Sequence, residues 1–148
     1  MTDLTLRITE DIKTAMRAGD KARLSVLRML SAELKQREVV ESITLTDAVV
    51  IAASEKMIKQ RRDSEQQYRA GDRAELADKE AAEIIVLQHY LPQPLSDSEI
   101  TALIEEAVSA TGAESGRDMG KVIGWLKPKV AGRADMGALS GRIKQRLS

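Results

Sequence analysis

Apolar residues recur every three or four positions along nearly the whole 148-residue chain. That spacing gathers them on one face of an α-helix, whereas a half-buried strand would alternate apolar and polar residues. The strong helix formers Ala, Leu, Glu, Lys, Arg and Gln dominate the sequence, and only three aromatic residues occur, none of them Phe. The sequence therefore predicts an all-α fold.

Seven helices are predicted from the apolar spacing and from capping residues. Four of them precede a Leu-Pro-Gln-Pro segment at residues 91–94, and three follow it, the first with Ser96 and Glu99 as a capping box. Pro-rich segments favour domain boundaries. We therefore expect an N-terminal four-helix domain at residues 1–92 and a C-terminal three-helix domain at residues 95–148.

Residues 59–80 form the most polar part of the chain. They are predicted to be a helical hairpin that turns at Ala70 and Gly71, with Asp72 capping its second helix. Because polar helices have little surface to bury, the hairpin is expected to project into solvent. A candidate contact surface on the hairpin consists of Tyr68, Arg61, Arg62 and Arg69.

Residue types that carry catalysis or bind metals are scarce. The absence of cysteine excludes disulfides, thiol nucleophiles and zinc–thiolate sites. The single histidine, His89, is a poor metal site and is expected to contact carbonyl groups at the end of the fourth helix. Neither a GxSxG turn nor a phosphate-binding GxxxxGK[ST] loop occurs. The sequence predicts no catalytic residue, metal or cofactor, and hence a non-catalytic protein.

The N-terminal residues MTDLTLRITEDIK are charged throughout and contain no apolar signal-peptide core. No apolar run approaches the ~18 residues needed to span a bilayer. A cytoplasmic location without a membrane partner is therefore expected.

A net charge of zero hides an uneven distribution along the chain. Residues 95–114 contain five acidic and no basic residues, whereas residues 115–148 contain eight basic and two acidic residues. This polarity suggests an anionic partner for the C-terminal segment.

The stretch RDMGKVIGWLKPKVAGRAD at residues 117–135 has helical apolar spacing, yet Gly120 and Gly124 lie inside it. Each glycine costs an exposed helix interior roughly 1 kcal/mol relative to alanine. On a helical wheel the two glycines lie opposite the apolar arc, on a basic outer face. The other residues of that face are Arg117, Lys121, Lys127 and Pro128.

Three interpretations of this glycine-bearing face are open from the residues alone. The face packs against another helix of the same chain, or a protein partner docks on it, or a phosphate backbone crosses it between neutralising cations. Trp125, at the margin of the face, either stacks on a base or belongs partly to the core.

The stretch DMGKVIGWLKPKVAGRAD with a basic terminal helix resembles the tail domain shared by the B subunit of aspartyl/glutamyl-tRNA amidotransferase and the small YqeY proteins. The upstream half is similar to the YqeY type, and its matching segments follow in the expected order: LSVLRML (24–30), KMIKQRRDS (56–64), DKEAAEI (78–84) and YLPQPLS (90–96). The chain is identified as a member of the GatB/YqeY family over nearly its whole length.

The resemblance implies a function in tRNA handling. In the amidotransferase, a carbon–nitrogen ligase that converts misacylated Glu-tRNA or Asp-tRNA to the amide with glutamine, the tail domain helps to hold the tRNA while other domains perform the chemistry. It therefore implies a non-catalytic accessory protein whose partners are tRNA and an amidotransferase-like or tRNA-handling complex. The alternative is a scaffold that binds only protein through the hairpin at residues 59–80.

The predicted nucleic-acid-binding residues combine the basic face of the sixth helix with cations that follow it, two of them expected to flank the face from the seventh helix. They are Arg117, Gly120, Lys121, Gly124, Lys127, Lys129, Arg133, Arg142 and Arg146.

Overall fold

The computed structural model describes residues 2–148, which form seven α-helices, one short 3-10 helix and no β-strand. The all-α fold predicted from the sequence is confirmed. In chain order the helices are α1 (Asp3–Ala18), α2 (Lys21–Val39), α3 (Asp47–Ala70), α4 (Ala74–Gln88), α5 (Asp97–Thr111), the 3-10 helix (Gly116–Asp118), α6 (Met119–Val130) and α7 (Met136–Leu147).

Side-chain caps define where several helices begin. Thr2 and Thr46 accept backbone N–H groups at the starts of α1 and α3, and Asp135 does so at α7. Ser96 and Glu99 form the predicted capping box of α5, in which each side chain accepts a hydrogen bond from the other residue's backbone N–H. These contacts satisfy N–H groups that have no partner inside the helix.

The predicted cap of α4 is wrong. Arg73 occupies the N-cap position without a side-chain hydrogen bond, and Asp72 lies one residue earlier with φ +63°. The turn between α3 and α4 requires one residue in the left-handed conformation, and aspartate tolerates that conformation better than most residues. Asp72 therefore forms the turn rather than capping the helix.

The chain divides into two compact units, one ending at Leu91 and the other comprising Pro92–Ser148. The first unit contains α1–α4 and buries an aliphatic core that includes Leu27, Leu30, Val50 and Leu87. The second contains α5–α7 and buries a separate core that includes Ile104, Leu126, Leu139 and Ile143. Each helix thus turns one apolar face toward the core of its own unit.

The polar hairpin consists of the distal halves of α3 and α4. Between Ile58 and Ile84, no described residue belongs to the hydrophobic core cluster of the first unit. Arg61 and Glu83 join the two helices nearer the core, with 2.9 Å between Nε and Oε2 and both side chains largely shielded from solvent. An ion pair therefore fastens the hairpin where the aliphatic core ends.

Tyr90 anchors the chain to α1 just before the boundary between the units. Its side chain is 1% exposed, and its hydroxyl donates to Asp11 Oδ2 at 2.6 Å. Arg7 lies over the Tyr90 ring, 5.5 Å from the centroid, and donates to the His89 carbonyl oxygen at 2.8 Å. Burial, followed by the hydrogen bond to Asp11, raises the pKa of Tyr90.

The Tyr90→Phe substitution should lower the free energy of unfolding by about 1–2 kcal/mol, because it removes a hydrogen bond between a buried hydroxyl and a carboxylate. Urea unfolding measures the loss. Tyr68→Phe is the matched control, since the Tyr68 hydroxyl has no hydrogen bond within residues 2–148, and should change stability by less than about 0.5 kcal/mol. Equal effects of the two substitutions would contradict the anchoring role.

The stability difference between wild type and Tyr90→Phe should depend on pH. Because the pKa of Tyr90 is raised by folding, the unfolded state loses the phenolic proton first once the pH exceeds about 10. Wild type should therefore lose stability relative to Tyr90→Phe above about pH 10. A difference that stayed constant from about pH 8 to pH 11 would contradict this expectation.

A fragment comprising residues 92–148 should fold without the first unit, because α5–α7 share a core of their own. We expect a helical circular-dichroism spectrum and dispersed amide signals by NMR, despite a length at which single domains are marginally stable. Amide shifts matching those of the full chain would establish the same fold. A spectrum typical of an unfolded chain would show that the fragment needs the first unit.

Candidate nucleic-acid interface

α6 has one buried and one open face, as the helical wheel predicts. Val122, Leu126 and Val130 are buried in the core of the second unit. The opposite face is exposed and carries Gly120, Lys121, Gly124 and Lys127, with Arg117 preceding it in the 3-10 helix. We call these five residues the α6 basic face.

The two glycines of the α6 basic face have no close neighbours. A β-carbon added to either Gly120 or Gly124 would meet no described heavy atom within 4 Å outside the local helix backbone. Neither glycine is therefore needed for close packing against another helix of the second unit. Their effect is to leave helix backbone accessible from outside.

Pro128 changes the backbone chemistry of the same face. In an α-helix the N–H of residue 128 would donate to the carbonyl oxygen of residue 124, but proline has no N–H and its ring crowds that carbonyl. The Gly124 carbonyl oxygen therefore loses its usual helical donor. The α6 basic face combines cationic side chains with this backbone acceptor.

The cations of the α6 basic face differ in how far they are neutralised. None of the ion pairs formed within residues 2–148 includes Arg117 or Lys127, whereas Lys121 Nζ lies 3.8 Å from Asp118 Oδ1. The backbone N–H of Glu114, which donates to Asp118 Oδ2 at 2.9 Å, is the main cause that lowers the pKa of Asp118. Asp118 was not identified from the sequence, and its ionised carboxylate moderates the charge of Lys121 and, to a smaller extent, that of Arg117.

Trp125 and Lys129 form a pair at the edge of the α6 basic face. The tryptophan is half-buried against the core of the second unit, and Lys129 Nζ lies 4.0 Å from its ring centroid. This cation–π contact covers one side of the ring. Trp125 is thus partly a core residue, and a base could stack on the covered side only after Lys129 moved away.

Arg133 fastens the Pro-rich segment to the end of α6. Its Nε donates to the Gln93 carbonyl oxygen at 2.8 Å, and its own carbonyl oxygen accepts the Leu95 N–H at 2.9 Å. Its guanidinium group also lies 3.8 Å from Glu99. Arg133 therefore has a structural role, holding the Pro-rich segment against the end of α6, that the sequence did not indicate.

Arg142 and Arg146 interact with α5. Arg142 donates to the Thr101 hydroxyl and forms an ion pair with Asp97 at 3.5 Å. Arg146 forms a bidentate ion pair with the carboxylate of Glu105. The hydrogen bonds from Arg146 lower the pKa of Glu105. Both guanidinium groups are thus engaged by α5 rather than left free to flank the α6 basic face, because the fold brings the acidic and basic segments together.

The candidate surface on the hairpin is also largely paired. Arg61 is held by Glu83, and Arg69 lies 3.2 Å from Asp78 and 3.9 Å from Glu65. Two of the three arginines of this surface are therefore paired with acidic residues of the hairpin helices. Of the predicted cationic surfaces, the α6 basic face retains the most unpaired charge.

Within the described part of the chain, no group of three His, Cys, Asp or Glu residues is placed to hold a metal ion. Among the described helices, none has the length and apolar character required to cross a bilayer.

Several known proteins are similar in sequence to this chain over most of its length. A protein of Pyrenophora tritici-repentis named altered inheritance of mitochondria protein 41, mitochondrial, is 32% identical over 143 residues, which cover 94% of this chain and 78% of that protein. A protein of the same name from Lachancea thermotolerans is 25% identical, covering 95% and 79% of the two chains. Another from Vanderwaltozyma polyspora is 27% identical, covering 81% and 69%.

The names of these relatives contradict the cytoplasmic location expected from the sequence, since all three are called mitochondrial. The expectation rested on the charged character of residues 1–13 and on the lengths of the apolar runs. Mitochondrial import uses amphipathic, Arg-rich segments instead. Neither feature therefore distinguishes a cytoplasmic from a mitochondrial protein.

A family model described as Yqey-like protein matches residues 5–147. The match includes both compact units, so the resemblance found in the sequence motifs extends over the whole fold. The chain belongs to the family of YqeY-like proteins.

Proposed function

We propose that this YqeY-like protein binds tRNA through the α6 basic face and acts as a non-catalytic accessory factor. The observation that carries the proposal is an exposed helix face on which three cations, only one of them in an ion pair, flank glycine backbone that no neighbouring side chain covers. The resemblance of this stretch to the tail domain of a tRNA-dependent amidotransferase supports tRNA as the nucleic acid.

The chemistry of the α6 basic face suits RNA in two ways. Arg117, Lys121 and Lys127 supply positive charge for phosphates, which dominate the affinity of nucleic-acid complexes. The Gly124 carbonyl oxygen is an acceptor, and the ribose 2′-hydroxyl is a donor that DNA lacks. Without a β-carbon at Gly120 or Gly124, a sugar–phosphate backbone can approach the helix closely.

As an accessory factor, the protein would hold the tRNA while a partner enzyme acts on its acylated end. The amidotransferase resemblance makes a carbon–nitrogen ligase that uses glutamine the expected partner. The pairing of Arg61 and Arg69 within the hairpin leaves the protein-only scaffold with less support. Affinity capture with and without ribonuclease distinguishes the two functions, because partners of a pure scaffold would persist after the RNA is degraded.

The affinity for tRNA should fall with salt at a log–log slope of about −2 to −3, as expected for roughly three phosphate contacts. Lys121→Ala and Lys127→Ala should each weaken binding and reduce the slope by somewhat less than one. Fluorescence anisotropy with a labelled tRNA transcript over a range of KCl concentrations measures both quantities.

Lys79→Ala is the matched control for these lysine substitutions. Lys79 is an exposed lysine on α4 that takes part in none of the ion pairs formed by residues 2–148. Its replacement should leave the affinity and the slope unchanged. Equal losses in all three variants would indicate unspecific attraction by the total charge, and no tRNA binding by wild type at low salt would refute the proposal.

The Gly124→Gln substitution should show whether tRNA approaches the helix backbone closely, because it blocks that approach without destabilising the helix. Glutamine is the better helix former, so the free energy of unfolding should stay equal or rise by up to about 1 kcal/mol. The longer side chain should nevertheless weaken tRNA binding by at least ~10-fold, because it blocks access to the helix backbone.

Gly141→Gln provides the control, since Gly141 is an exposed glycine of α7 that also has no neighbour within 4 Å of an added β-carbon. It should bind tRNA like wild type. Unchanged binding by Gly124→Gln would exclude close approach at α6, and lost stability would show that the glycine is needed for folding.

A further inference from the structure

A second basic surface lies on α2, in the other compact unit. Its outward residues recur at alternating intervals of four and three positions: Lys21, Ser25, Arg28, Ala32, Lys35 and Val39, all of them exposed. We call these six residues the α2 face. Two interleaved seven-residue repeats are present on it, one of cations and one of small or apolar residues.

The cations of the α2 face are unpaired. Within residues 2–148, no ion pair or side-chain hydrogen bond involves Lys21, Arg28 or Lys35. The face itself contains no acidic residue. Of the two glutamates of α2, Glu33 is already bonded to Arg37 at 3.2 Å, and Glu38 forms no ion pair within residues 2–148. Positive charge on the α2 face is therefore available to an outside partner.

Apolar surface lies between these cations. A shallow depression of about 440 Å³ is lined mostly by apolar atoms and bordered by Lys21 and Arg28; its other residues are Leu24, Ser25, Met29 and Ala32. Met29 is 40% exposed, and Val39, at the C-terminal end of the face, is 63% exposed. The apolar depression and two of the free cations thus lie together on residues 21–32 of α2, and Lys35 and Val39 follow on the same face.

The spacing of the α2 face matches another helix. Seven residues of an α-helix extend about 10.5 Å, so a helix lying along α2 can present one carboxylate per seven residues to each cation in turn. Ser25 and Ala32 would let the two helix axes approach closely, while apolar residues of the partner fill the depression. A phosphate backbone would satisfy the cations but would leave the apolar surface unused.

We propose that the α2 face docks an amphipathic helix of another protein, with acidic residues at seven-residue intervals opposite Lys21, Arg28 and Lys35. Charge complementarity selects the partner, and the apolar depression supplies contact area. The inference does not depend on tRNA binding by α6.

A designed peptide tests the proposal on the full chain. The peptide has three seven-residue repeats with one glutamate each, leucine and alanine on the side that meets α2, and helix-forming residues elsewhere. We expect its amide NMR perturbations to map to residues 21–39 and its binding to weaken with salt. A matched peptide with glutamine in place of each glutamate should bind roughly tenfold more weakly.

Charge reversal on the protein supplies the second arm. The double variant Arg28→Glu/Lys35→Glu should lose roughly tenfold in affinity for the glutamate peptide and should prefer a lysine version of it. Arg62→Glu/Lys79→Glu is the charge-matched control, because both residues are exposed cations of the hairpin without an ion pair among residues 2–148. It should bind the glutamate peptide as wild type does.

Three results would overturn the proposal. Equal binding of the glutamate and glutamine peptides would show that the cations do not select the partner. Perturbations outside α2 would place the contact elsewhere. A loss of tRNA affinity in Arg28→Glu/Lys35→Glu that clearly exceeds the loss in the charge-matched Arg62→Glu/Lys79→Glu would assign the α2 face to nucleic acid instead.

Discussion

Burial of a single apolar stripe per helix is the constraint on which the rest of this structure depends. The seven helices described within residues 2–148 fill two separate, largely aliphatic cores and leave the other side of most helices in solvent. The surfaces that such a fold offers to a partner are therefore mainly the outer faces of its helices. The two proposed binding surfaces, on α6 and on α2, are outer faces of helices whose inner faces are buried in a core.

Electrostatic pairing then decides which surface charges remain available. The second unit contains eight basic and seven acidic residues, so its overall charge is nearly balanced. Part of this charge is neutralised between α5 and α7, where Arg142 pairs with Asp97 and Arg146 pairs with Glu105. The positive charge that remains without an ion pair is local. Arg117 and Lys127, on one side of the unit, produce a positive potential there although the net charge of the unit is close to zero.

Features that depend on local periodicity could be predicted from the sequence, and features that depend on long-range contacts could not. The helices, the capping box at Ser96 and the division of α6 into two faces follow from neighbours three or four residues apart. Arg142 donates a hydrogen bond to the Asp97 carbonyl oxygen, and these two residues are 45 positions apart in the sequence. The hydrogen bond between Tyr90 and Asp11 joins residues that are 79 positions apart. No spacing rule within a helix reports on such contacts.

The contact between Lys129 and Trp125 has a practical consequence. Trp125 is the sole tryptophan of the chain, and its ring lies at the edge of the α6 basic face with an ammonium group 4.0 Å from its centroid. Indole emission responds to a nearby charge, so a ligand that draws Lys129 toward itself would alter the fluorescence of the unmodified protein. The chain thus carries its own optical reporter at the edge of the surface where an anionic ligand would arrive.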